Sequence, residues 1–557
     1  MPSKWLLDKA IRVESPDNLA QSLLEARGYS TQQLEEFVRP NYAAVYDLAL
    51  SLPDIDQAMA RIKQALTDSE KIVIYGDYDI DGITASALLF DVLSGQGADV
   101  SVYIPDRFEE GYGINSTALE YLHEHGAQLV ISVDCGITSV REVATASKFG
   151  LDVIVTDHHG LPEKLPDKAV ALVNPKRSTD SALYELAGVG VAFMLVVALQ
   201  KNGIIQLGQG QEKWLLDLVA LGTICDVVPL VGINRMLAHY GLGVMRRSRR
   251  VGFKALCDVS SVEMSEITSE HVGFRFGPRL NAAGRLEHAQ LALELLTTID
   301  RDRARELAEK VNQLNVERQS LTESTFVEAL AQAEERKDDS ILVLASSNWS
   351  HGIIGIVASR LVEKMHRPTI LLQIQGKLAK GSARSLAGFN IIDAITQQSD
   401  KLEKFGGHAY AAGMTLKSDQ IDGFRQSLND AVAAGSLEVQ ASPVSIAAIL
   451  AGRAIVPESV YQIQTLGPFG QGNSEPILMS SLEVLTFRPV GSDLSHLQIK
   501  LKSDQGMISA IAFRKADKWP WLKDGTAVDV AYTIGINEWQ GNSTAQLIII
   551  DMRPHED

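Results

Sequence analysis

The sequence predicts an α/β protein: a parallel-sheet domain, a second α/β domain joined to it by a long helix, and a C-terminal OB-fold β-barrel. Apolar runs alternate with helical stretches in the first half, a long segment without glycine or proline follows, and short strands separated by turn residues end the chain. The 557 residues exceed the roughly 250–300 at which a single core stops growing. We therefore expect several domains.

Five short apolar runs predict the strands of the first sheet. They occupy residues 71–75, 99–104, 128–133, 151–156 and 169–174, and helix-forming stretches rich in alanine and leucine separate them. Strands that alternate with helices form a parallel sheet with helices on both faces. We assign residues 49–290 to this domain and residues 1–48 to a small helical segment before it.

The middle of the chain predicts one long helix. Residues 286–339 contain neither glycine nor proline, and strong helix formers dominate, with apolar positions at three-to-four spacing. At 1.5 Å per residue, about 35 residues would span roughly 50 Å. We assign residues 291–338 to a helix that connects two domains; the alternative is a helix packed within one domain.

Two further domains are predicted after this helix. A strand–helix alternation resumes at residues 340–346 and indicates the second α/β domain, over 339–440. Five strand-like runs punctuated by glycine, aspartate and asparagine then favour an OB-fold barrel over 441–557.

The composition narrows the class of protein. The three cysteines are too few for a disulfide framework, so we expect a reducing cytoplasm. The sequence starts without the apolar stretch of a signal peptide and has no run near the ~20 residues of a membrane span, so we expect no membrane association. The net charge of −17, taken alone, argues against a nucleic-acid partner unless basic groups are concentrated in one track.

Three carboxylates directly follow the first predicted strand. Asp77, Asp79 and Asp81 stand at alternate positions in YGDYDIDG, where parallel sheets place their ligands. Like charges this close need neutralisation, and carboxylate oxygens suit Mg²⁺ or Mn²⁺. The alternative is a Ca²⁺ loop or an acidic turn, although the segment lacks the glutamate that closes an EF-hand.

Later segments carry the same chemistry. Asp134 ends the run ISVD, Asp157, His158 and His159 end VIVTDHH, and Asp226 is the single charge in ALGTICDVVPL. A lone aspartate could instead cap a helix. Two adjacent histidines after an aspartate favour a metal ligand beside a catalytic group, and imidazole suits Mn²⁺ better than Mg²⁺. Together the segments could hold two metal ions that share a carboxylate and activate water against a phosphate ester.

These segments, in this order, resemble the motifs of the DHH phosphoesterase family, whose namesake is TDHH at 156–159. The resemblance continues through FGPRLNAAGRL (276–286), NWSHGIIGIVASRL (348–361), KGSARSL (380–386) and FGGHAYAAGM (405–414). GPFGQGNSEP (467–476) is similar to the start of the OB domain in the single-stranded-DNA exonucleases of this family. The resemblance therefore covers most of the chain.

The resemblance implies roles for the acidic and histidine residues. The metal ligands that it implies are Asp79, Asp81, Asp134, His158 and Asp226. Asp134 is then the bridging ligand, His159 faces the scissile phosphate, and Asp157 orients His158. Related pyrophosphatases have a histidine where this chain has Tyr75, so Asp77 or water would complete the shell of one ion. The implied cofactors are two divalent cations, Mn²⁺ or Mg²⁺, with Mn²⁺ favoured.

The resemblance also implies a set of substrate-binding residues. They are Arg107, Tyr112, Arg279, Asn281, Arg285, His351, Ser382, Arg384, Gly407 and His408. Ser382 and Arg384 would hold a terminal 5′-phosphate, because a guanidinium offers bidentate contacts. The alternatives are a solvated loop around Arg107, structural salt bridges at Arg279 and Arg285, and a tight turn at GGHAYAAG.

The resemblance implies a 5′→3′ exonuclease that hydrolyses single-stranded DNA to 5′-mononucleotides by a two-metal mechanism, in DNA repair and recombination. One alternative is a DHH phosphodiesterase acting on short oligoribonucleotides or cyclic dinucleotides, which the chain length and the barrel disfavour. Another is an inactive scaffold that binds single strands, which the full set of acids disfavours. Single-strand-binding protein and a helicase are the implied protein partners.

Overall fold

The computed structural model describes residues 4–7, 9–106, 110–111, 113–179, 182–386, 388–434, 443–491, 493–504, 506–539 and 542–555. The chain forms two compact units. The larger comprises Leu6–Gly284, His288–Val311 and Ser445–Asp557. The smaller comprises Arg285–Glu287 and Asn312–Val444, with the first residues of the chain.

A five-stranded parallel sheet forms the centre of the larger unit. Its strands are Ile72–Gly76, Val100–Tyr103, Leu129–Val133, Asp152–Thr156 and Ala171–Val173, with the second at one edge beside the first and the others following in order. All four pairings are parallel. The first and third strands are buried along their whole length, as expected where helices cover both faces. The parallel sheet predicted from the apolar runs is confirmed.

Helices pack around this sheet. The α-helices of more than one turn between residues 19 and 297 are Leu19–Ala26, Thr31–Val38, Ala44–Leu50, Ile55–Asp68, Ile80–Gly95, Ser116–Glu124, Val140–Lys148, Gly188–Lys201, Leu216–Cys225, Gly232–Met245, Val251–Ser260, Gly277–Leu286 and Gln290–Thr297. Gly188–Lys201 is buried on all sides from Gly188 to Leu199. It therefore lacks the amphipathic pattern that marks a surface helix.

The C-terminal residues form a closed five-stranded barrel. Its strands are Leu478–Val490, His496–Ser503, Gly506–Ala512, Ala527–Trp539 and Asn542–Pro554. The first strand pairs with both the second and the fourth, which closes the barrel. The third and fifth strands pair in parallel, and the remaining pairings are antiparallel. The predicted OB-fold is confirmed.

The N-terminal segment differs from the helical segment predicted over 1–48. Ile11–Val13 is a strand that pairs in parallel with Ala448–Leu450, and this pair continues the barrel sheet beyond its first strand. Leu19, Leu23 and Leu24 lie in the same hydrophobic core as the barrel. A three-residue strand is too short to show alternation, and its partner is distant in sequence, so local patterns carried no sign of it.

The long helix is present but begins at Arg301, not at residue 291, and it ends at Glu335. Gln290–Thr297 forms a separate helix, and Thr298 has extended backbone. The Asp300 carboxylate accepts hydrogen bonds from the backbone N–H groups of Asp302 (2.8 Å) and Arg303 (3.2 Å). These bonds cap the start of the long helix.

The smaller unit contains a second five-stranded sheet. In spatial order its strands are Leu402–His408, Ala411–Lys417, Leu378–Arg384, Thr369–Gln375 and Leu342–Ser346. Only the last two pair in parallel; the other pairings are antiparallel. The helices are His351–Met365, Ile391–Thr396 and Ile421–Ala433. Within the described residues of either unit, no helix is both long and apolar enough to cross a membrane.

Candidate metal centre

The first motif lies at the carboxyl end of Ile72–Gly76. The Asp79 carboxylate accepts hydrogen bonds from the backbone N–H groups of Asp81 (2.9 Å) and Gly82 (3.2 Å), and so caps the helix Ile80–Gly95. Asp77 is buried beside this turn. A Cβ on Gly82 would lie 2.6 Å from the Asp77 backbone. The glycine is therefore needed to bring these carboxylates together.

A second helix fixes the orientation of Asp81. The two oxygens of its buried carboxylate accept hydrogen bonds from the backbone N–H groups of Gly188 (2.5 Å) and Val189 (2.8 Å), at the start of Gly188–Lys201. Helix N-termini stabilise negative charge. Gly188 and Val189 could not be identified from the sequence, because a fully buried helix has no periodic pattern that shows where it begins.

Asp134 follows the central strand Leu129–Val133. Its φ of 60° is left-handed, which aspartate tolerates better than most residues, and its N–H donates to the Thr156 carbonyl (3.0 Å). A Cβ on Gly188 would lie 2.7 Å from the Asp134 Cβ and 2.8 Å from its Oδ1. Gly188 therefore both orients Asp81 and leaves room for Asp134.

Asp157 holds the third motif together. Its Oδ1 accepts from the backbone N–H groups of His158 (2.7 Å) and His159 (3.0 Å) and lies 2.8 Å from the His159 ring Nδ1. Its Oδ2 accepts from the Ile137 N–H (2.9 Å). The structure therefore differs from the prediction that Asp157 orients His158: its ring partner is His159. Successive side chains leave a strand end in different directions, so the choice between two adjacent histidines was open in the sequence.

Asp226 comes from outside the sheet. It ends the helix Leu216–Cys225, and its carboxylate oxygen Oδ2 lies 3.6 Å from His158 Nε2. A Cβ on Gly222 would lie 2.9 Å from Asp81 Oδ1 and 2.3 Å from Thr84 Oγ1. A glycine one turn before Asp226 thus lets this helix approach the first motif closely.

The His158 side chain lies close to three carboxylates. Its Nε2 lies 3.1 Å from Asp134 Oδ1, 3.6 Å from Asp226 Oδ2 and 3.7 Å from Asp81 Oδ2. Neither this Nε2 nor Asp134 Oδ1 has a hydrogen-bond partner among the described residues, although both atoms are buried. Buried polar atoms without partners are costly, and a cation held between imidazole and carboxylates would satisfy them.

Three groups of side chains could each hold a metal ion, with ligand atoms within 4.8 Å of one another. They are Asp81, His158 and Asp226; Asp134, His158 and His159; and Asp77, Asp79 and Asp134. Carboxylate and imidazole donors suit a divalent cation of the Mn²⁺ or Mg²⁺ class. Asp134 and His158 each belong to two groups, as ligands shared by neighbouring ions would.

Burial and mutual repulsion perturb the pKa values of these acids. Burial, followed by the charges of neighbouring aspartates, raises the pKa of Asp226 to about 9 and that of Asp81 to about 7. The same causes raise the pKa of Asp134 well above its usual range. Burial, with the neighbouring His159, lowers the pKa of His158 to about 4. A neutral imidazole and clustered carboxylates are the forms that bind cations.

The Tyr75 side chain supplies no ligand. It is fully buried in the hydrophobic cluster on one side of the sheet, and its hydroxyl donates to the Gly113 carbonyl (3.2 Å) and accepts from Asn115 Nδ2 (3.2 Å). The hydroxyl therefore serves to pack the core. Asp77, which lies with Asp79 and Asp134 in one group of candidate ligands, could take the place of the histidine of related pyrophosphatases.

In the smaller unit, Ser382 and Arg384 form a second candidate site. The Arg384 guanidinium donates to Ser382 Oγ (2.9 Å) and to the Ala383 carbonyl (2.7 Å). A Cβ on Gly355 would lie 2.8 Å from Arg384 Nη2, so this glycine lets the helix His351–Met365 pack closely on the pair. Burial lowers the pKa of Arg384, and among the described residues no carboxylate lies within ion-pair distance of it. The pair can therefore accept an anion.

His408 lies on the same sheet as Arg384. Both residues are paired with Ala411, from the strands on either side of it, so they share one level and one face of the sheet. Gly407 has a φ of 148°, and a Cβ there would lie 2.3 Å from the Ala411 carbonyl oxygen. Gly407, one of the predicted substrate-binding residues, is thus required by the packing of the hairpin itself.

The remaining predicted substrate residues lie in several environments. Arg279 donates to the Arg275 carbonyl (2.7 Å). Arg285 donates to the Gly352 carbonyl (2.8 Å), and the N–H of His351 donates to Gln373 Oε1 (3.1 Å). Asn281 is half-buried in the helix Gly277–Leu286. Arg107 and Tyr112, the last two of the predicted set, lie outside the described residues.

Comparison with known families matches three segments of the chain. Residues 71–223 match the DHH family, N-terminal domain; residues 338–434 match the DHHA1 domain; and residues 446–551 match the RecJ OB domain. The single-stranded-DNA-specific exonuclease RecJ of Dickeya dadantii is 37% identical over 97% of this chain and 97% of its own. The Bacillus subtilis protein of that name is 39% identical over 96% of this chain and 67% of its own.

Solved structures agree with these relatives. The crystal structure of RecJ in complex with Mn²⁺ from Thermus thermophilus superposes with a TM-score of 0.81 at 30% identity, covering 100% of this chain and 80% of that one. The Mg²⁺ complex from the same organism gives a TM-score of 0.77 at 28% identity, covering 100% and 79%. The whole chain thus shares its fold with proteins that were crystallised in complex with divalent cations.

Proposed function

The chain belongs to the RecJ family of DHH phosphoesterases, and from that premise we propose that it degrades single-stranded DNA in the 5′→3′ direction by two-metal hydrolysis. As a member of this family it is a single-stranded-DNA-specific exonuclease. Beyond this activity, we propose that two metal ions take part, that degradation runs from the 5′ end, and that 5′-mononucleotides are released. The observation that carries it is the position of Asp134 and His158, each of which belongs to two groups of candidate ligands.

Two cations in this cluster would be held by carboxylates from three segments. Asp79 and Asp81 would approach from the first strand, Asp134 from the central strand and Asp226 from the helix Leu216–Cys225, with His158 among them. When bound, such ions polarise a phosphodiester and activate water for in-line attack. The imidazole among the ligands supports Mn²⁺ over Mg²⁺.

His159 would interact with the substrate. Its side chain is 45% exposed, whereas that of His158 is 12% exposed. Although burial lowers it, the pKa of His159 is raised overall by the hydrogen bond and charge of Asp157. The Asp157 carboxylate accepts a hydrogen bond from Nδ1–H, and in the protonated imidazole, which the raised pKa favours, Nε2–H would donate to a phosphate oxygen. His159 would thus stabilise the negative charge that develops during hydrolysis, with Asp157 positioning it.

Recognition of the 5′ end is assigned to Ser382 and Arg384. A terminal phosphate carries more negative charge than an internal diester and accepts more charge-assisted hydrogen bonds. Arg384 is half-buried without a carboxylate partner in the described part of the chain, and Ser382 Oγ lies beside its guanidinium. This pair would give the enzyme its polarity, since a metal cluster alone does not distinguish the two ends of a strand.

Single strands would also bind the C-terminal barrel. Phe513 is 53% exposed, and it follows the strand Gly506–Ala512 together with Arg514. Lys500 lies on the neighbouring strand, His496–Ser503, and Arg488 on the next, Leu478–Val490. OB-folds combine base stacking with neutralisation of the backbone. Single-strand-binding protein and a helicase are proposed as partners that would present and generate the substrate. The three cysteines are free, which supports a reducing, cytoplasmic location.

One assay tests the function. With Mn²⁺ present, a long 5′-phosphorylated single strand should be converted to 5′-mononucleotides, and a label on the 5′-terminal nucleotide should be released before one at the 3′ end. A duplex of the same sequence should be resistant. Faster hydrolysis of a short oligoribonucleotide would instead favour the other class of DHH phosphodiesterase, and release of the 3′ label first would contradict the proposed polarity.

A further inference from the structure

The residues that follow Asp226 are held in place by a loop of the C-terminal barrel domain. We propose that this loop, residues 467–476 (the glycine-rich loop), positions Asp226 and so sets the affinity of the metal centre. The inference rests on the proposed function, in which Asp226 is a metal ligand. It makes the barrel domain a structural support of the active site in addition to a surface for DNA.

The turn after Asp226 is strained. Val227 has a φ of 61°, a left-handed value that β-branched residues rarely adopt. Its side chain is 58% exposed, so its own packing does not hold this conformation. A strained backbone persists only where the surrounding structure fixes it. The contacts that fix the turn must therefore come from the residues around it.

The glycine-rich loop lies directly against this turn. The Leu230 N–H donates to the Gln471 carbonyl (2.7 Å). A Cβ on Gly472 would lie 3.1 Å from the Pro229 Cβ and 3.2 Å from the Val231 Cγ1. The loop backbone thus packs along residues 229–231, and a Cβ at position 472 would press on both Pro229 and Val231.

The helix Gly232–Met245 holds the turn and the loop through two consecutive residues. Asn234 Nδ2 donates to the Pro229 carbonyl (3.1 Å). Arg235 Nη2 donates to the Gly467 carbonyl (2.6 Å), and its guanidinium carbon lies 3.5 Å from the centre of the Phe37 ring. Arg235 is 3% exposed. One helix therefore fixes the spacing between the metal-ligand turn and the barrel domain.

Asn473 gives the loop its own rigidity. It is buried, and its Nδ2 donates to the carbonyls of Leu466 (2.9 Å) and Pro468 (2.9 Å) while its Oδ1 accepts from Arg27 Nη1 (2.8 Å). The two bonds that Asn473 donates close the loop, and the one that it accepts from Arg27 ties the loop to the N-terminal segment. A closed, rigid loop can resist the tendency of Val227 to relax to negative φ, and this resistance keeps Asp226 directed at His158.

A pair of glycine substitutions separates this role from general stability. Gly472 and Gly525 both lie in the barrel domain and have similar left-handed φ values, 74° and 80°. Alanine at either position is therefore under similar backbone strain. A Cβ at Gly525 meets nothing within 4 Å, whereas at Gly472 it meets Pro229 and Val231. Gly525→Ala is thus the matched control for Gly472→Ala.

The readout is Mn²⁺ binding by this whole 557-residue chain without DNA, followed by the electron paramagnetic resonance signal of free Mn²⁺. Gly472→Ala should weaken binding of Mn²⁺ about 10- to 100-fold, the range found when residues that orient a metal ligand are changed. Gly525→Ala should stay within about twofold of the wild type. The Mn²⁺ concentration for half-maximal hydrolysis should rise in parallel for Gly472→Ala, with kcat recovering at saturating Mn²⁺.

Asp226→Asn is the reference for the ligand itself. If it leaves Mn²⁺ binding unchanged, the ligand assignment in the proposed function fails. If it weakens binding while Gly472→Ala and Gly525→Ala behave alike, the positioning role of the loop is refuted. Gly470→Ala serves if Gly472→Ala does not fold, because its Cβ would lie 2.7 Å from Cδ1 of the buried Leu230 side chain, in the turn that follows Asp226. It should weaken Mn²⁺ binding in the same direction, and a wild-type affinity would overturn the inference.

Discussion

Replacing Asp134 by asparagine should slow hydrolysis severely without unfolding the protein. Asparagine keeps the shape of the side chain and tolerates the left-handed φ of 60°, so the substitution removes charge and little else. The buried Oδ1 of Asp134 lies 3.1 Å from His158 Nε2 and has no hydrogen-bond partner among the residues the structure describes. The change therefore leaves the hydrogen bonding of the fold intact.

The size of the effect follows from the sharing of this ligand. Asp134 belongs to two of the three candidate ligand groups, so its loss would weaken both proposed ions. Changing even a residue that only orients a metal ligand costs about 10- to 100-fold. Two ions weakened together should lose roughly 10²- to 10⁴-fold in kcat/KM at limiting Mn²⁺, about 3–5 kcal/mol.

The stability of the metal-free protein should change in the opposite direction. Burial and the neighbouring aspartates raise the pKa of Asp134, which means that its charged form is disfavoured where it lies. Removing that charge should leave the melting temperature in chelator unchanged or higher, while the stabilisation by Mn²⁺ shrinks. Asp152→Asn is the control, because Asp152 begins the strand that ends at Thr156 and pairs with Arg61 (2.6 Å). Turnover within tenfold of the wild type in a well-folded Asp134→Asn protein would refute the bridging role.

Three further outcomes are expected. Arg384→Ala should slow hydrolysis of 5′-phosphorylated strands by about one to two orders of magnitude and of 5′-hydroxyl strands much less; equal losses in kcat/KM would make it a general phosphate contact. Gly188→Ala should reduce Mn²⁺ binding, measured by calorimetry, because its Cβ would lie 2.8 Å from Asp134 Oδ1; unchanged binding would contradict this packing. Chelation should lower the melting temperature more at pH 9 than at pH 6. The pKa values of about 7 for Asp81 and about 9 for Asp226 lie above that of an unfolded aspartate, so the metal-free fold loses stability as the pH rises through these pKa values. A loss of melting temperature on chelation that is independent of pH would argue against clustered carboxylates.

The strands and the metal motifs were predictable for one physical reason. A buried parallel strand must be apolar along its length, and the carboxyl ends of parallel strands meet at one sheet edge. Asp79, Asp134 and His158 each follow such a strand closely, so their positions in the sequence were enough to predict that they lie close together. The family resemblance then added the roles, and the structure places these side chains in one cluster.

Other features depend on contacts that no local pattern records. Ile11–Val13 joins the barrel sheet through a partner at Ala448–Leu450. The amides of Gly188 and Val189 bind Asp81 from a helix without amphipathic periodicity. One boundary was readable, because Asp300 is a helix-capping residue type directly before the long helix. This boundary was missed because residues 286–339, which contain no glycine or proline, extend well beyond the helix on its N-terminal side.

The net charge of −17 argues against a nucleic-acid partner only if every charged side chain is equally free to bind one. The arginines differ in this respect, because some form ion pairs within the fold. Arg61 lies between Glu70 and Asp152, and Arg250 between Asp91 and Asp217, so each of these cations is neutralised within the fold. Arg384 is half-buried, and its hydrogen bonds go to neutral oxygens. A cation withdrawn from water is costly unless an anion compensates it. The hydrogen bonds of Arg384 go to neutral oxygens, so its charge can be compensated by an anion from outside the chain, and a 5′-phosphate meets this requirement whatever the net charge.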